Sequence, residues 1–176
     1  VTRIIGLAGW SGAGKTSLIV KLLPCLMRRG LSVSTLKHAH HRFDVDVPGK
    51  DSYEHRRAGA RQVMVASGLR WALMTELGTA PEPALPELLA RMDRVDLILV
   101  EGFKRDAHPK IEVHRAANGK PWMRPEMPGI VAVASDTPPP YDLPRVDLDD
   151  IEGVADLVTA HAAPLCAIRW DMRQEA

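Results

Sequence analysis

Lys15 and Thr16 stand directly behind Gly9, Gly12 and Gly14 in the stretch GWSGAGKT. This spacing, G-x-x-x-x-G-K-[ST], is suited to holding a polyphosphate. Gly9 ends an apolar run and turns the chain. Gly12 and Gly14 permit backbone angles at which successive N–H groups converge on one anion. A helix beginning just after them adds free amide donors and the positive end of its dipole. Lys15 supplies a point charge for β- and γ-phosphates, and the Thr16 hydroxyl can ligate Mg²⁺. With Trp10, Ser11 and Ala13 inside the loop and Ser17 opening the helix, Gly9 through Ser17 form the candidate nucleotide-binding segment. At a background of about 7% glycine, chance seldom puts this pattern between a strand and a helix.

Two carboxylates complement it. Glu101 closes the apolar stretch DLILVEG, where a strand ending in an acid holds Mg²⁺ or a metal-bound water. The usual residue there is Asp, so Glu101 suits contact through a water or hydrogen bond as well as direct ligation. Gly102 lets the backbone pass close to a γ-phosphate. Asp136 closes VAVASD. A carboxylate accepts the two adjacent donors on guanine's pairing edge, whereas adenine's ring nitrogen meets it lone pair to lone pair. Asp136 is therefore a candidate guanine reader, or simply the start of a turn before TPPPYD.

A third cluster is the loop KHAHHRFDVDVPGKD, with His38, His41, Asp44, Asp46 and Lys50. Its spacing is too irregular to specify a metal site. It reads either as a solvated polar loop or as a switch that meets the γ-phosphate, the magnesium or a second anionic ligand.

Positioning these groups requires strands whose carboxyl ends converge. RIIGLAG, LSVSTLK, RVDLILVEG, GIVAVASD and a short PRVDLDD read as strands. TSLIVKLLPCLMRRG reads as a helix stopped by Gly30, with Pro24 expected to kink it. SYEHRRAGA reads as a short helix capped by Asp51 or Ser52, PELLARM as a helix from about Pro86, and DDIEGVADLVTAHA as the final helix. RQVMVAS and RWALMTEL suggest a hairpin turning at Gly68. KIEVHR alternates, which predicts one wet face. Strands alternating with helices predict an α/β fold of three layers, P-loop NTPase-like, with a mainly parallel central sheet. The hairpin and KIEVHR are expected to add antiparallel strands.

The chain of 176 residues, 45% of them hydrophobic, suits one domain, so residues 1–176 are expected to form a single nucleotide-binding domain. A net charge of +1 and few aromatics give no reason to expect nucleic acid or an anionic membrane as partner. No stretch has the ~18 apolar residues of a membrane span. The opening VTRIIGLAG is too short an apolar run for a secretory signal. Cys25 and Cys166 form no CxxC pair and read as reduced thiols. The expectation is a cytoplasmic protein.

Taken together, GWSGAGKTSL, KHAHHRFDVDVPGKDSYEHRRAGA, DLILVEGFKRDAHPKIEVHR, VAVASD and LPRVDLDDIEGVADLV resemble the molybdopterin-guanine dinucleotide biosynthesis protein B (MobB) family. The resemblance spans Arg3 to Val158, leaving the tail after about residue 158 without a role. It implies a GTP-binding, Mg²⁺-dependent P-loop adapter with slow GTPase activity in molybdenum cofactor biosynthesis. It also implies a partner, the molybdopterin guanylyltransferase (protein A of the pathway), with molybdopterin or its guanine dinucleotide nearby. The family's homodimers join the sheets of two subunits. Gly9 to Ser17 match its phosphate loop, and Glu101-Gly102 its second nucleotide motif. Lys104, His108, Lys110, His114 and Arg115 flank PKIEV and read as a solvated face, or as a positive pocket for the pterin's phosphate or a partner. Arg56, Arg57 and Arg61 decorate a helix or meet a ligand phosphate.

Two enzyme readings compete. A P-loop kinase phosphorylating a small molecule uses the same loop, although no arginine-rich lid segment is evident late in the chain. An ATP-dependent ligase of similar fold is the other.

Overall fold

The structure, a computed structural model, describes residues 1–39, 43–127 and 129–170. In chain order its elements are β1 (Arg3–Ala8), α1 (Lys15–Arg28), β2 (Val33–Lys37), α2 (Asp51–Arg57), β3 (Gln62–Ala66) and β4 (Trp71–Thr75). There follow α3 (Leu85–Leu89), β5 (Leu97–Glu101), β6 (Lys110–His114), β7 (Ile130–Ser135), β8 (Arg145–Val146), α4 (Ile151–His161) and β9 (Ala163–Pro164). The chain divides into two compact units. One joins the segment ending at His38 to the segment beginning at Leu89; the other is Ala39–Leu88.

The first unit is built on a sheet ordered β2-β5-β1-β6-β7-β8, every pair of that path parallel. β1 and β5 are almost wholly buried, as apolar strands covered on both faces should be. β6 starts level with Gly6, and β9 pairs antiparallel with Arg3 and Ile4, lower on β1. Helix α1 presents Leu18, Ile19, Leu22, Cys25 and Leu26 to one face of the sheet, where Val154, Ala155 and Val158 of α4 join them. Burying each such aliphatic side chain contributes about 1.5–3 kcal/mol. Asp150 caps α4 by accepting the N–H of Gly153 at 2.9 Å.

Several expectations need correction. β6, the KIEVH stretch, is parallel and buried throughout rather than antiparallel and half wet. Its Lys110 and Glu112 face the side of the sheet away from α1 and α4, and hydrogen bonds rather than water satisfy them there. Pro24 lies inside α1, which runs on to Arg28. The third helix has only five residues, and Lys50, not Asp51 or Ser52, is the residue preceding α2.

In the second unit, β3 and β4 pair antiparallel, from Gln62↔Thr75 to Ala66↔Trp71. They form a two-stranded sheet of their own instead of extending the central one. Met64, Val65, Leu69, Trp71 and Leu73 of this hairpin are exposed.

Candidate nucleotide site

The phosphate loop bridges β1 and α1 where β1 lies between β5 and β6. Gly9 is required by contact: a Cβ there would lie 2.5 Å from the Val113 carbonyl oxygen on β6. Gly12 and Gly14 are required by conformation, with φ of +82° and +93°, and Gly14 is the residue preceding α1. The segment after β6 holds the loop from outside. Trp10 donates its indole N–H to the Pro121 carbonyl at 2.7 Å, and the Asn118 amide donates to the Ser11 carbonyl at 3.0 Å.

Lys15 curls over its own loop, donating to the carbonyls of Gly9 (2.9 Å) and Trp10 (3.1 Å). Burial pulls its pKa below the ordinary value; Glu101 opposes that shift, and Lys104 and Lys37 add to it. The Thr16 hydroxyl donates to Glu101 at 3.3 Å, and Lys37 stands 3.7 Å from the same carboxylate. Glu101 is 12% exposed, so its charge acts in a partly desolvated setting. A hydroxyl and a carboxylate side by side are hard oxygen donors of the kind Mg²⁺ takes. Among the described residues no group of three or more His, Cys, Asp or Glu could hold a metal ion.

Beyond Glu101 the chain turns through Gly102 and Phe103, with φ of +99° and +46°. A Cβ on Gly102 would meet the His38 Cβ at 2.5 Å. His38 therefore packs against this turn, its N–H donating to the Glu101 carbonyl at 2.8 Å and its ring 4.8 Å from that of Phe103. A non-glycine residue at positive φ beside a carboxylate is strain of the sort stored at functional sites.

A profile of the family described as "MobB: Molybdopterin guanine dinucleotide synthesis protein B" matches residues 4–136. The chain belongs to the MobB family. The molybdopterin-guanine dinucleotide biosynthesis adapter protein of Escherichia coli (strain K12) is 49% identical over 161 residues, 88% of this chain and 90% of that protein. The Haemophilus influenzae protein of the same description is 43% identical over 159 residues, covering 88% and 86%. A crystal structure of molybdopterin-guanine biosynthesis protein B matches with a TM-score of 0.71 at 25% identity, over 89% of this chain and 98% of that one. The MobB homologue from Bacillus stearothermophilus gives 0.67 at 25% identity, over 89% and 95%.

The remaining candidates of this MobB chain fall in different places. Asp136 is exposed at the end of β7, and its Oδ1 accepts the Ala116 N–H at 2.9 Å. Asp44 and Asp46 belong to the second unit, where Arg56 donates to both, at 2.6 and 2.9 Å, and approaches Glu76 at 3.5 Å. Those acids hold a guanidinium, which fixes the start of the second unit to α2. Lys50 precedes α2, and His41 lies outside the described residues.

Of the five basic residues around PKIEV, read as a solvated face or as a positive pocket, three are not solvated. His108 and Lys110 are fully buried and His114 nearly so. Lys110 donates to the carbonyls of Asp106 and His108. Glu112, also buried, accepts N–H bonds from Met123 and Arg124 and a hydroxyl bond from Tyr141 at 2.6 Å. His114 stacks on Trp122 at 3.7 Å. Reading the sequence alone overlooked Asn118 and Pro121 as supports of the loop. The signal available was their position just after a strand, since ligands of such sheets gather at strand carboxyl ends.

Proposed function

We propose that this chain binds GTP with Mg²⁺ at Gly9–Ser17 and serves as an adapter in molybdopterin guanine dinucleotide biosynthesis, hydrolysing GTP slowly at most. The observation that carries this reading is the convergence of Lys15, Thr16 and Glu101 at the mouth of a loop lined by amides. The adapter role follows relatives that are described as adapters and match this chain over most of its length.

In this reading the loop amides and the start of α1 grip the β- and γ-phosphates. Lys15 leaves the Gly9 and Trp10 carbonyls to neutralise them. Thr16 and Glu101 hold Mg²⁺, directly or through a water, and the metal supplies charge neutralisation on the phosphate tail. Asp136 keeps one lone pair of Oδ1 on the Ala116 N–H, and its two oxygens retain acceptor sites for guanine's two donors.

The partners proposed are the pathway's guanylyltransferase and molybdopterin or its guanine dinucleotide, in the cytoplasm. A homodimer fits the hairpin, whose exposed Met64, Leu69, Trp71 and Leu73 form an apolar surface on a two-stranded sheet.

Titration calorimetry with GTP, GDP and ATP in Mg²⁺ tests the reading. GTP should bind more tightly than ATP, and Lys15→Ala should weaken GTP by at least ~2 kcal/mol. Equal affinities for GTP and ATP remove Asp136 as the guanine reader. An unchanged Lys15→Ala affinity removes the phosphate site itself.

A further inference from the structure

One cation beside the phosphate loop has no side-chain partner among the described residues. Arg115 directly follows β6, and its guanidinium lies 3.9 Å from the position a Cβ would take on Gly14. That guanidinium makes no hydrogen bond or ion pair with another described residue. A guanidinium carries five donors in a planar fork that matches a phosphate. Here the fork is presented by clamped backbone: the Ala116 N–H is held by Asp136 at 2.9 Å, and the Arg115 carbonyl accepts the Asn118 N–H at 3.0 Å.

The surroundings give this cation a direction. Arg115 lines a cavity of about 200 Å³ with Gly14, Ser17, Lys21, Leu148 and Asp149, beside the first turns of α1. Glu101, Lys37 and the Thr16 hydroxyl cluster separately, and Lys104 lies over the Trp10 ring at 5.4 Å. In a phosphate loop the lysine and the metal-binding hydroxyl serve the β/γ end of the tail, while amides at the helix start cradle its α/β end. The cavity therefore adjoins the α end. Its volume is below the ~300–1,000 Å³ of a pocket that encloses a whole drug-sized ligand, which suits a sugar and its phosphate with the base at the rim. Leu148, 4% exposed, supplies an apolar floor for the sugar. Lys21 and Asp149 stand 4.0 Å apart with well-exposed side chains, so their pair is loose enough to open for a ligand.

We infer that Arg115 is a nucleotide ligand that grips the α-phosphate of a nucleoside di- or triphosphate, with the ribose seated in the adjoining cavity. This rests on the phosphate-loop reading above and adds to it a residue outside the motif. It predicts that Arg115 does not distinguish GTP from GDP, because both carry the α-phosphate.

The test compares wild type, Arg115→Gln and Arg115→Lys by calorimetry with GTP, GDP and inorganic pyrophosphate in Mg²⁺, with the melting temperature as a check on folding. Arg115→Gln should weaken GTP and GDP by the same factor, about tenfold or more, and leave pyrophosphate unchanged. Arg115→Lys, which keeps the charge but loses the fork, should fall between. In ³¹P spectra of bound GDP, the α resonance should move in Arg115→Gln while the β resonance stays. A loss confined to GTP places Arg115 at the γ-phosphate and overturns the inference, as does unchanged affinity for both nucleotides. Wild-type protein that binds none of the three ligands overturns the phosphate-loop reading and this inference with it. Wild-type binding with an inert Arg115 overturns the inference alone.

Discussion

Thr16 on α1 and Glu101 at the end of β5 meet across the phosphate loop, the hydroxyl donating to the carboxylate at 3.3 Å. Neighbouring parallel strands bring them together, since Leu7 of β1 is in register with Glu101. The pair puts a hydroxyl and a mostly buried acid at one point, so each constrains what the other can do.

If that pair holds Mg²⁺, Glu101→Gln removes the charge and keeps the shape. GTP affinity in Mg²⁺ should fall by about tenfold or more, while affinity in EDTA should be unchanged or rise, because a carboxylate beside the γ-phosphate repels it when no metal intervenes. Calorimetry in both buffers measures this. A mutant whose Mg²⁺ dependence equals that of wild type would show that Glu101 serves only to orient Thr16 and Lys37.

Gly9 should tolerate no side chain. In Gly9→Ala the new methyl meets a backbone oxygen of β6, a neighbour that moves only if the β1–β6 pairing shifts. The expected cost is about 1–3 kcal/mol of stability, read from the urea midpoint, together with weakened nucleotide binding. Gly30→Ala makes the control. Its Cβ would meet nothing within 4 Å, and at φ +82° its cost is conformational alone, so nucleotide affinity should be unchanged.

Glu112 anchors the segment that supports the loop. Glu112→Ala strips acceptors from the Met123 and Arg124 amides and the Tyr141 hydroxyl, leaving a buried donor and two part-buried ones without partners. We expect a loss of about 2–4 kcal/mol. The His114–Trp122 stack should loosen with it, changing the tryptophan emission. An unaltered urea midpoint would mean that the carboxylate does not hold this segment.

The buried His108–Lys110 pair should make stability depend on pH in two windows. Burial, assisted by the Lys110 charge, pushes the His108 pKa from 6.5 down to about 3. Between those values the unfolded chain takes up a proton that the folded one refuses, so stability falls as pH drops from 6.5 toward 3. Burial, partly opposed by Asp106, lowers Lys110 from 10.5 to about 8. Above pH 8 the folded lysine loses its proton while the unfolded one keeps it, so stability rises from pH 8 toward 10. Tyr141, held above its usual 10 by burial and by Glu112, opposes the rise beyond that point. Lys110→Met should abolish the alkaline rise, as urea denaturation across the range would record.

Much of this was written locally. The loop from Gly9 to Ser17 carries its geometry in contiguous residues, because Gly12 and Gly14 at fixed offsets take the positive φ that shapes it. Apolar runs closed by glycine or by an acid marked β1, β5 and β7, since strands buried on both faces must be apolar throughout. Helix α4 was legible as the final helix in DDIEGVADLVTAHA, and the structure places it at Ile151–His161.

Strand order was a different matter, because it depends on contacts between residues about a hundred positions apart. Only the tertiary structure put β6 beside β1, and so brought Arg115, Asn118 and Pro121 against the phosphate loop. It also reversed the reading of KIEVH. Alternation predicts a wet face only when water lies there, and here the amides of Met123 and Arg124 and backbone carbonyls replace that water around Glu112 and Lys110. A local pattern records which side chains share a face, while what covers that face is decided by the rest of the chain.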